Sequence, residues 1–271
     1  MLAYFSHFVF LPWTKAIPQG EKGEEDATVH ANKRSGSVSE ECEHRALAGF
    51  KQLIVGDGVE IPLTMIYAGD YDATLLRFLR ARKLNLEKSF AMLKESIEYR
   101  KSEKFDTVLL NPLSTEKMDI LRKYSLGAHS GTDRQGRPIY FDRPGFLKVE
   151  AMLSEGATPE DFLYKHVQEM EYMGNVHLWS ASLDAGHTID QTVTIIDVTN
   201  ISPSSLTKIV RDVFGRLTKI DQNNYPESLA ASYIVNASWI FTVAYKVRQH
   251  LRRSPHTRRH APWSARGSQR A

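Results

Sequence analysis

The second half of the sequence alternates strand-forming segments with amphipathic helical segments, and this alternation restricts the fold more than any other feature. The strand-forming segments, 138–141, 191–198 and 233–236, are short and rich in β-branched residues. Apolar residues three and four positions apart predict helices within 161–179 and 206–220. Because strand–helix–strand units with continuous apolar strands build buried sheets, we predict an α/β fold with a largely parallel β-sheet.

The first half is predicted to be helical after a polar extension. Residues 18–45 contain only two large aliphatic side chains, so an N-terminal extension, 1–45, is expected to be mostly disordered. Further on, Asp72 is predicted to cap a helix that ends near Arg82, and Asn85 to cap a second helix. The arginines of the first helix, Arg77, Arg80 and Arg82, are expected to face outward. We expect these two helices to pack as a hairpin. After the extension we predict three regions: a helical subdomain, 46–125, a sheet lobe, 126–251, and a basic disordered tail, 252–271.

Charge and composition exclude several classes of protein. Residues 248–271 hold seven arginines and no acid, which leaves 28 basic and 32 acidic residues in the rest of the chain. The body is therefore mildly acidic, and we expect no nucleic-acid partner. No segment approaches the roughly 20 apolar residues of a membrane-spanning helix. The single cysteine, Cys42, excludes an internal disulfide and favours a reducing, cytoplasmic compartment.

Motifs of catalysis are not found. The sequence has no Gly-x-Ser-x-Gly elbow, no phosphate-binding loop ending in Gly-Lys-Ser or Gly-Lys-Thr, no His-Glu-x-x-His and no kinase motif set. His256 and His260 have the spacing of metal ligands but lie among arginines where no helix is expected. We therefore predict that the protein is not an enzyme and has no metal site.

One strand-forming segment carries polar side chains on a single face. With a period of two, Thr192 and Thr194 point to the same side, and their hydroxyls are roughly 7 Å apart. These hydroxyls could line a pocket. Threonine also suits strands by propensity alone, so the residues by themselves leave both interpretations open.

Four segments in a fixed order resemble a known family. They are TLLRFLRARKLNLEKSFAML (74–93), GTDRQGRPIYFDRPG (131–145), TVTIIDVTNIS (192–202) and NNYPESLAASYIVNASWIF (223–241). Together they resemble the CRAL-TRIO lipid-carrier family, in its branch of the yeast phosphatidylinositol/phosphatidylcholine exchange protein. The likeness runs from about residue 70 to 248, some two-thirds of the chain.

The resemblance implies a fold and a set of site residues. The fold is a helical N-terminal subdomain and a sheet lobe with flanking helices, whose sheet is the floor of a lipid cavity covered by a movable gate helix. The residues implied for a phosphatidylcholine headgroup are Thr192, Thr194 and Tyr140, and those for a phosphoinositide headgroup are Arg82, Lys83 and Glu227. The gate helix would carry Trp239, Ile240, Val243 and Val247. Arg82 and Lys83 could instead offset a helix dipole, Glu227 could cap a turn, and the gate could be a plain packing helix.

The resemblance also implies a function. It is non-enzymatic binding and transfer of one phosphatidylinositol or phosphatidylcholine, with phospholipid as the ligand, no cofactor and a transient membrane-surface partner. We expect a cytoplasmic, peripheral-membrane monomer, with Golgi and endosomal membranes as candidates. A cavity for two acyl chains should approach or exceed about 1,000 Å³.

The sequence departs from the family after Leu251. The family continues there with a further strand and closing helices, whereas residues 252–271 have no apolar periodicity. Without that strand, we expect one edge of the sheet to stay unpaired and one wall of the cavity to be missing. The alternative function is a truncated, non-transferring interaction or regulatory fragment.

Overall fold

A β-sheet lies at the centre of the fold in this computed structural model, which describes residues 8–10, 40–202, 205 and 207–237. Its strands are β1 (Phe8–Phe10), β2 (Gly127–Thr132), β3 (Pro138–Asp142), β4 (Thr192–Asp197) and β5 (Leu229–Val235). The order across the sheet is β1-β5-β4-β3-β2. β1, β5, β4 and β3 are parallel, and β2 runs antiparallel to β3. The largely parallel α/β sheet predicted from the sequence is therefore confirmed.

Helices lie between β1 and β2 in the chain and connect the parallel strands β3, β4 and β5. Those of the described residues are α1 (Glu40–Gly56), α2 (Tyr71–Ala81), α3 (Leu86–Ser102), α4 (Thr115–Tyr124), α5 (Val149–Ser154), α6 (Pro159–Tyr172), α7 (Leu178–Ala185) and α8 (Lys208–Asn224). A short π-helix, Met173–His177, joins α6 to α7. The chain crosses from β3 to β4 through α5, α6 and α7, and from β4 to β5 through α8.

The helices α1, α2 and α3 share one apolar core. Its buried members are Leu47, Phe50, Ile54, Met65, Leu75, Phe78, Leu79, Met92 and Leu93. The predicted cap of α3 is confirmed, because the Asn85 side chain accepts a hydrogen bond from the backbone N–H of Lys88. The cap predicted for α2 is wrong by two residues: Asp70, not Asp72, accepts from the N–H of Ala73. Both aspartates precede the apolar stripe, so the pattern alone does not distinguish them.

The predicted outward position of Arg77 is also wrong. Arg77 is 2% exposed, and its Nε donates a hydrogen bond to the carbonyl oxygen of Pro226, just before β5. Its guanidinium carbon lies 5.0 Å from the centre of the Tyr67 ring. The side of α2 opposite its own core is thus covered by the sheet lobe, and the amphipathic pattern of a single helix cannot show that second contact.

A buried ion pair joins the helical subdomain to the sheet lobe. Arg100 of α3 has no exposed side-chain surface, and its guanidinium nitrogens lie 2.6 and 3.0 Å from the carboxylate oxygens of Glu171 in α6. Asp106 is the second carboxylate on this guanidinium, at 2.8 Å. The aromatic rings of Tyr67, Phe105 and Tyr225 stack around the pair.

The sheet edge that we expected to be unpaired is occupied in the described part of the chain. β1 lies parallel to β5, with Phe8 opposite Ser232 and Phe10 opposite Ile234. α1 likewise begins at Glu40, within the stretch predicted to be mostly disordered. The expectation of an open edge is therefore wrong, because it considered only strands later in the sequence. A segment more than 200 residues earlier supplies the backbone hydrogen-bonding partner instead.

Candidate functional site

One face of the sheet carries a row of polar side chains that crosses four strands. Strand pairing places His129 opposite Tyr140, Tyr140 beside Thr194, and Thr194 beside Ser232. Because paired residues on adjacent strands point to the same face, these four side chains lie on one face. We call His129, Tyr140, Thr194 and Ser232 the polar row. The row brings together two residues predicted from the sequence, Tyr140 and Thr194.

Thr192 lies on the same face but one step along β4 from the row. It is buried, and its hydroxyl donates a hydrogen bond to the carbonyl oxygen of Ser228 at 3.3 Å. The pairing of β4 with β5 shifts between Thr192 and Val193, so Thr192 lies at an irregularity of the sheet. The two threonines therefore have different surroundings, and the Thr192 hydroxyl already has a protein partner.

Tyr140 is held in its protonated form. Burial raises the pKa of its phenol well above the usual value, and the negative charges of Glu169 and Asp142 raise it further. A phenol in this state donates a hydrogen bond at any physiological pH. Its oxygen also lies close over Gly127 of β2, where a Cβ atom would be only 2.1 Å away. The glycine thus leaves room for the position of the phenol.

His129 begins the row as a neutral imidazole. Burial lowers its pKa to about 4, and the neighbouring His177 adds to the effect. The two imidazole rings have centroids 4.2 Å apart, and the Tyr140 ring lies 5.0 Å from His129 on its other side. The Nδ1 atom of His129 is buried and has no hydrogen-bond partner among the described residues. His129 can therefore offer a neutral hydrogen-bonding nitrogen to a bound group.

Charged side chains of α6 lie near the row. Burial raises the pKa of Asp142 in β3 to about 6, the charge of Glu169 raises it further, and the charge of Lys165 opposes the shift. Lys165 and Glu169 form an ion pair one turn apart on α6. A group bound at the row would therefore meet neutral donors on the sheet and this ion pair on the helix.

The residues predicted for a phosphoinositide headgroup lie at the junction of the helical subdomain and β5. Arg82 is the C-cap residue of α2, and Lys83, with a positive φ of 54°, is exposed in the turn that follows. Glu227 precedes β5, and its carbonyl oxygen accepts a hydrogen bond from the side chain of Gln191. No ion pair among the described residues joins Glu227 to Arg82 or Lys83.

Two arginines of α2, the buried Arg77 and the partly exposed Arg80, interact electrostatically with Glu227 instead. Burial lowers the pKa of Arg77, and the carboxylate of Glu227 is among the groups that oppose this shift. A hydrogen bond to Glu43 raises the pKa of Arg80, and the negative charge of Glu227 also raises it. The structure thus places Arg77 and Arg80 in the electrostatic environment of Glu227, which the sequence analysis did not predict.

Sequence reasoning missed two members of the polar row, His129 and Ser232. Ser232 is 1% exposed, and its hydroxyl has no hydrogen-bond partner among the described residues. The alternation within β5 could have assigned Ser232 to one face. Its place beside Thr194, however, requires the register between two strands that are separated by α8.

An apolar pocket lies between α5, α6 and α8. Its lining includes Met152 of α5, Phe162 of α6 and Val213 of α8. The space that it encloses is about 20 Å³, room for little more than one water molecule. This pocket is far smaller than the lipid cavity expected from the sequence. The residues predicted to form the gate, Trp239, Ile240, Val243 and Val247, lie outside the described residues.

The fold and the site define an α/β domain with three features: a helical subdomain, a largely parallel sheet and a partly buried row of neutral hydrogen-bonding side chains. The sequence model of the CRAL/TRIO domain matches residues 122–259, and that of the CRAL/TRIO N-terminal domain matches residues 59–95. The chain belongs to the CRAL/TRIO family. It is similar in fold to the crystal structure of Sfh5, with a TM-score of 0.57 and 16% identity over 79% of this chain and 77% of that one.

Curated relatives carry names of lipid transfer proteins. The chain is 36% identical over 200 residues to phosphatidylinositol/phosphatidylcholine transfer protein SFH9 of Arabidopsis thaliana, which is 74% of this chain and 33% of the relative. It is 34% identical to the SEC14 cytosolic factor of Kluyveromyces lactis, over 65% of this chain and 58% of the relative. The chain thus spans about a third of the plant relative and less than two-thirds of the yeast one.

Two features are absent from the part of the chain that the structure describes. None of their helices has the length and apolar character needed to cross a membrane. They also contain no cluster of three or more histidine, cysteine or acidic side chains arranged to hold a metal ion.

Proposed function

We propose that this protein is a non-enzymatic phospholipid carrier that binds one phosphatidylcholine or phosphatidylinositol and exchanges it at membrane surfaces. The observation that carries the proposal is the polar row, a line of neutral, partly buried hydrogen-bonding groups on the sheet of a CRAL/TRIO domain. The names of the relatives, phosphatidylinositol/phosphatidylcholine transfer proteins, support the same class of ligand.

The energetics of lipid transfer explain why such a row is useful. Each methylene group that leaves a bilayer for water costs about 0.8 kcal/mol, or on the order of 20 kcal/mol for two long acyl chains. A carrier must replace that burial with an apolar cavity. Because bilayer and cavity bury the chains about equally, the hydrogen bonds to the headgroup decide which lipid is retained.

The headgroup would bind at the polar row. The Tyr140 phenol, which burial and nearby carboxylates keep protonated, and the Thr194 hydroxyl can each donate to a phosphate oxygen. No bond is made or broken in such exchange, so no catalytic group and no cofactor are required. Transient contact with a membrane surface would follow from the need to take up and release the lipid. We place this activity in a cytoplasmic, monomeric protein.

A second site for phosphoinositides stays a prediction of the resemblance. It would use Arg82, Lys83 and Glu227, at the junction of α2 and β5. Lys83→Ala should then lower transfer of phosphatidylinositol and leave transfer of phosphatidylcholine unchanged, because Lys83 is remote in sequence and element from the polar row. Equal loss for both lipids would contradict a separate inositol site.

The alternative is a non-transferring interaction or regulatory fragment. The pocket between α5, α6 and α8 encloses about 20 Å³, too little for an acyl chain, so a carrier would need a larger cavity elsewhere. A fragment would need no such cavity. The two functions differ in whether the purified chain moves lipid between membranes.

A vesicle assay distinguishes these functions. The full chain is mixed with donor vesicles that contain fluorescent phosphatidylcholine or phosphatidylinositol and with unlabelled acceptor vesicles. A carrier should transfer label at a rate proportional to protein concentration, and Thr194→Trp should abolish phosphatidylcholine transfer by filling the space over the row. Ile195→Trp, on the opposite face of β4, is the matched control and should retain transfer. No transfer by the unmodified chain would favour the fragment.

A further inference from the structure

Two stacked histidines connect β2 with the π-helix. His129 of β2 and His177, the last residue of the π-helix, have ring centroids 4.2 Å apart and an angle of 41° between their planes. Both side chains are partly buried. The Tyr140 ring lies 5.0 Å from His129, and the Tyr172 ring lies 5.0 Å from His177. The two imidazoles therefore pack against each other within an aromatic cluster.

Neither imidazole has a group beside it that would stabilise a positive charge. Nδ1 of His129 is buried and has no hydrogen-bond partner in the part of the chain that the structure describes. Burial lowers the pKa of both rings, and the charge of His177 lowers that of His129 further. Among the described residues, no carboxylate opposes either shift. A proton on one ring would therefore place an unpaired charge against the other.

One neighbouring acid responds to pH in the opposite direction. Asp142 of β3 lies opposite Gly127 of β2, and burial raises its pKa to about 6, so proton uptake by this carboxyl favours the packed state. The charge of Glu169 raises that pKa further. The titratable and charged groups that β3 and α6 place around the pair are Tyr140, Asp142, Lys165, His166, Glu169 and Tyr172.

Of the two elements that the pair connects, β2 is held more weakly. It is an edge strand of the described sheet, four of its six residues are exposed, and its pairing with β3 becomes irregular after His129. The π-helix is fixed on another side. A Cβ atom on Gly174 would lie 2.2 Å from the Tyr67 ring, and the Asn175 side chain donates a hydrogen bond to the carbonyl oxygen of Thr64. Repulsion within the pair should therefore displace β2.

We propose that His129 and His177 form an acid-sensitive contact, in which protonation separates the two rings and releases β2 from the π-helix. The opened state binds protons more readily because its imidazoles are in water, so opening becomes more favourable as pH falls. Release would remove His129 from the polar row and admit water at that end. The proposal goes beyond the carrier function and does not depend on it, because it concerns the chain without lipid.

Hydrogen–deuterium exchange of the lipid-free full chain at pH 7 and pH 5 tests the proposal. Exchange is corrected for the intrinsic rate at each pH, so that protection reports opening. Peptides from β2 report its release, and peptides from β4 report whether the sheet stays folded. His129→Phe keeps an aromatic ring but binds no proton. His187→Gln is the matched control, because His187 is exposed in the segment between α7 and β4.

The expected effect is a difference between the unmodified chain and His129→Phe. An imidazole whose pKa is about 4 when packed and about 6.5 in water shifts an opening equilibrium about 20-fold between pH 7 and 5. The protection of β2 should therefore fall about 20-fold further in the unmodified chain than in His129→Phe, with equal changes in β4. His187→Gln should match the unmodified chain. Asp142→Asn removes the opposing acid and should show a larger fall.

Several results would overturn the proposal. One is a pH response of β2 in His129→Phe that is within twofold of the response in the unmodified chain. Another is an equal loss of protection in β2 and β4, which would indicate unfolding of the whole sheet. If His129→Phe does not fold, His177→Phe supplies the comparison, and a loss of protection as large as that of the unmodified chain would contradict the pair. Lipid transfer is measured separately, in the vesicle assay, so the carrier function stands or falls independently.

Discussion

Replacing Glu171 by glutamine tests the buried ion pair that joins the helical subdomain to the sheet lobe. Glu171 is 1% exposed, and Arg100 approaches both of its carboxylate oxygens, at 2.6 and 3.0 Å. The hydroxyls of Tyr67 and Tyr225 donate to the same carboxylate, at 3.0 and 2.7 Å. Glutamine has a single acceptor oxygen and places an N–H₂ group against one of these donors. Glu171→Gln therefore removes the charge and leaves at least one donor without an acceptor.

The size of the effect follows from burial. Removing one partner from a buried ion pair costs about 3–5 kcal/mol, because the other charge is left in a low-dielectric environment. Asp106 still lies 2.8 Å from Arg100 and compensates part of that charge. We therefore expect the free energy of unfolding to fall by about 3 kcal/mol, the lower end of that range. This is a large part of the 5–15 kcal/mol that typically stabilises a domain.

Urea unfolding of the full chain, followed by circular dichroism, measures this loss. The control is Lys94→Ala, which breaks the ion pair between Lys94 and Asp57, at 2.9 Å and about half exposed. Exposed pairs contribute about 0.2–1 kcal/mol, so the control should lose little stability. If Glu171→Gln loses less than about 1 kcal/mol and matches the control, the ion pair does not stabilise the junction as argued.

Three further predictions concern other parts of the fold. Burial lowers the pKa of His129 to about 4, so the unfolded chain binds more protons between about pH 4 and 6.5 and stability falls as pH drops through that range. His129→Gln should lose less stability than the unmodified chain between pH 7 and 4.5 in urea unfolding; equal losses would contradict burial of a neutral imidazole. Deleting residues 1–10 should expose the edge of β5 and increase self-association, measured by light scattering, whereas an unchanged size would mean that β1 does not protect this edge. Gly145→Ala should destabilise the protein, because the new Cβ would lie 1.8 Å from the backbone oxygen of Thr199. Gly215→Ala, in open space on α8, should instead raise stability by about 0.5–1 kcal/mol. Thermal unfolding that ranks the two variants in the reverse order would refute this.

Local patterns in the sequence predict the elements of this fold. β-branched runs identify β3, β4 and β5, and apolar periodicity identifies α2, α3 and α8, because these signals depend only on nearby residues. The cap of α3 at Asn85 follows from the same local chemistry. The error at Asp72 is also local, since two aspartates precede α2 and only the backbone conformation selects Asp70.

Contacts between distant segments could not be predicted from one sequence. Arg77 belongs to the polar pattern of α2, yet the sheet lobe covers it through the carbonyl of Pro226. β1 pairs with a strand more than 200 residues away, and nothing in its composition specifies that partner. Ser232 enters the polar row only through the register of β4 and β5. Each of these features depends on tertiary structure that periodicity does not encode.

Native mass spectrometry of the full chain purified from cells tests the central claim most directly. A carrier keeps its lipid through purification, because release into water would expose both acyl chains. We predict a species heavier than the bare chain by the mass of one phospholipid, which extraction identifies as phosphatidylcholine or phosphatidylinositol. A chain that is found only in its bare form, and that stays bare after incubation with vesicles of these two lipids, would contradict the account.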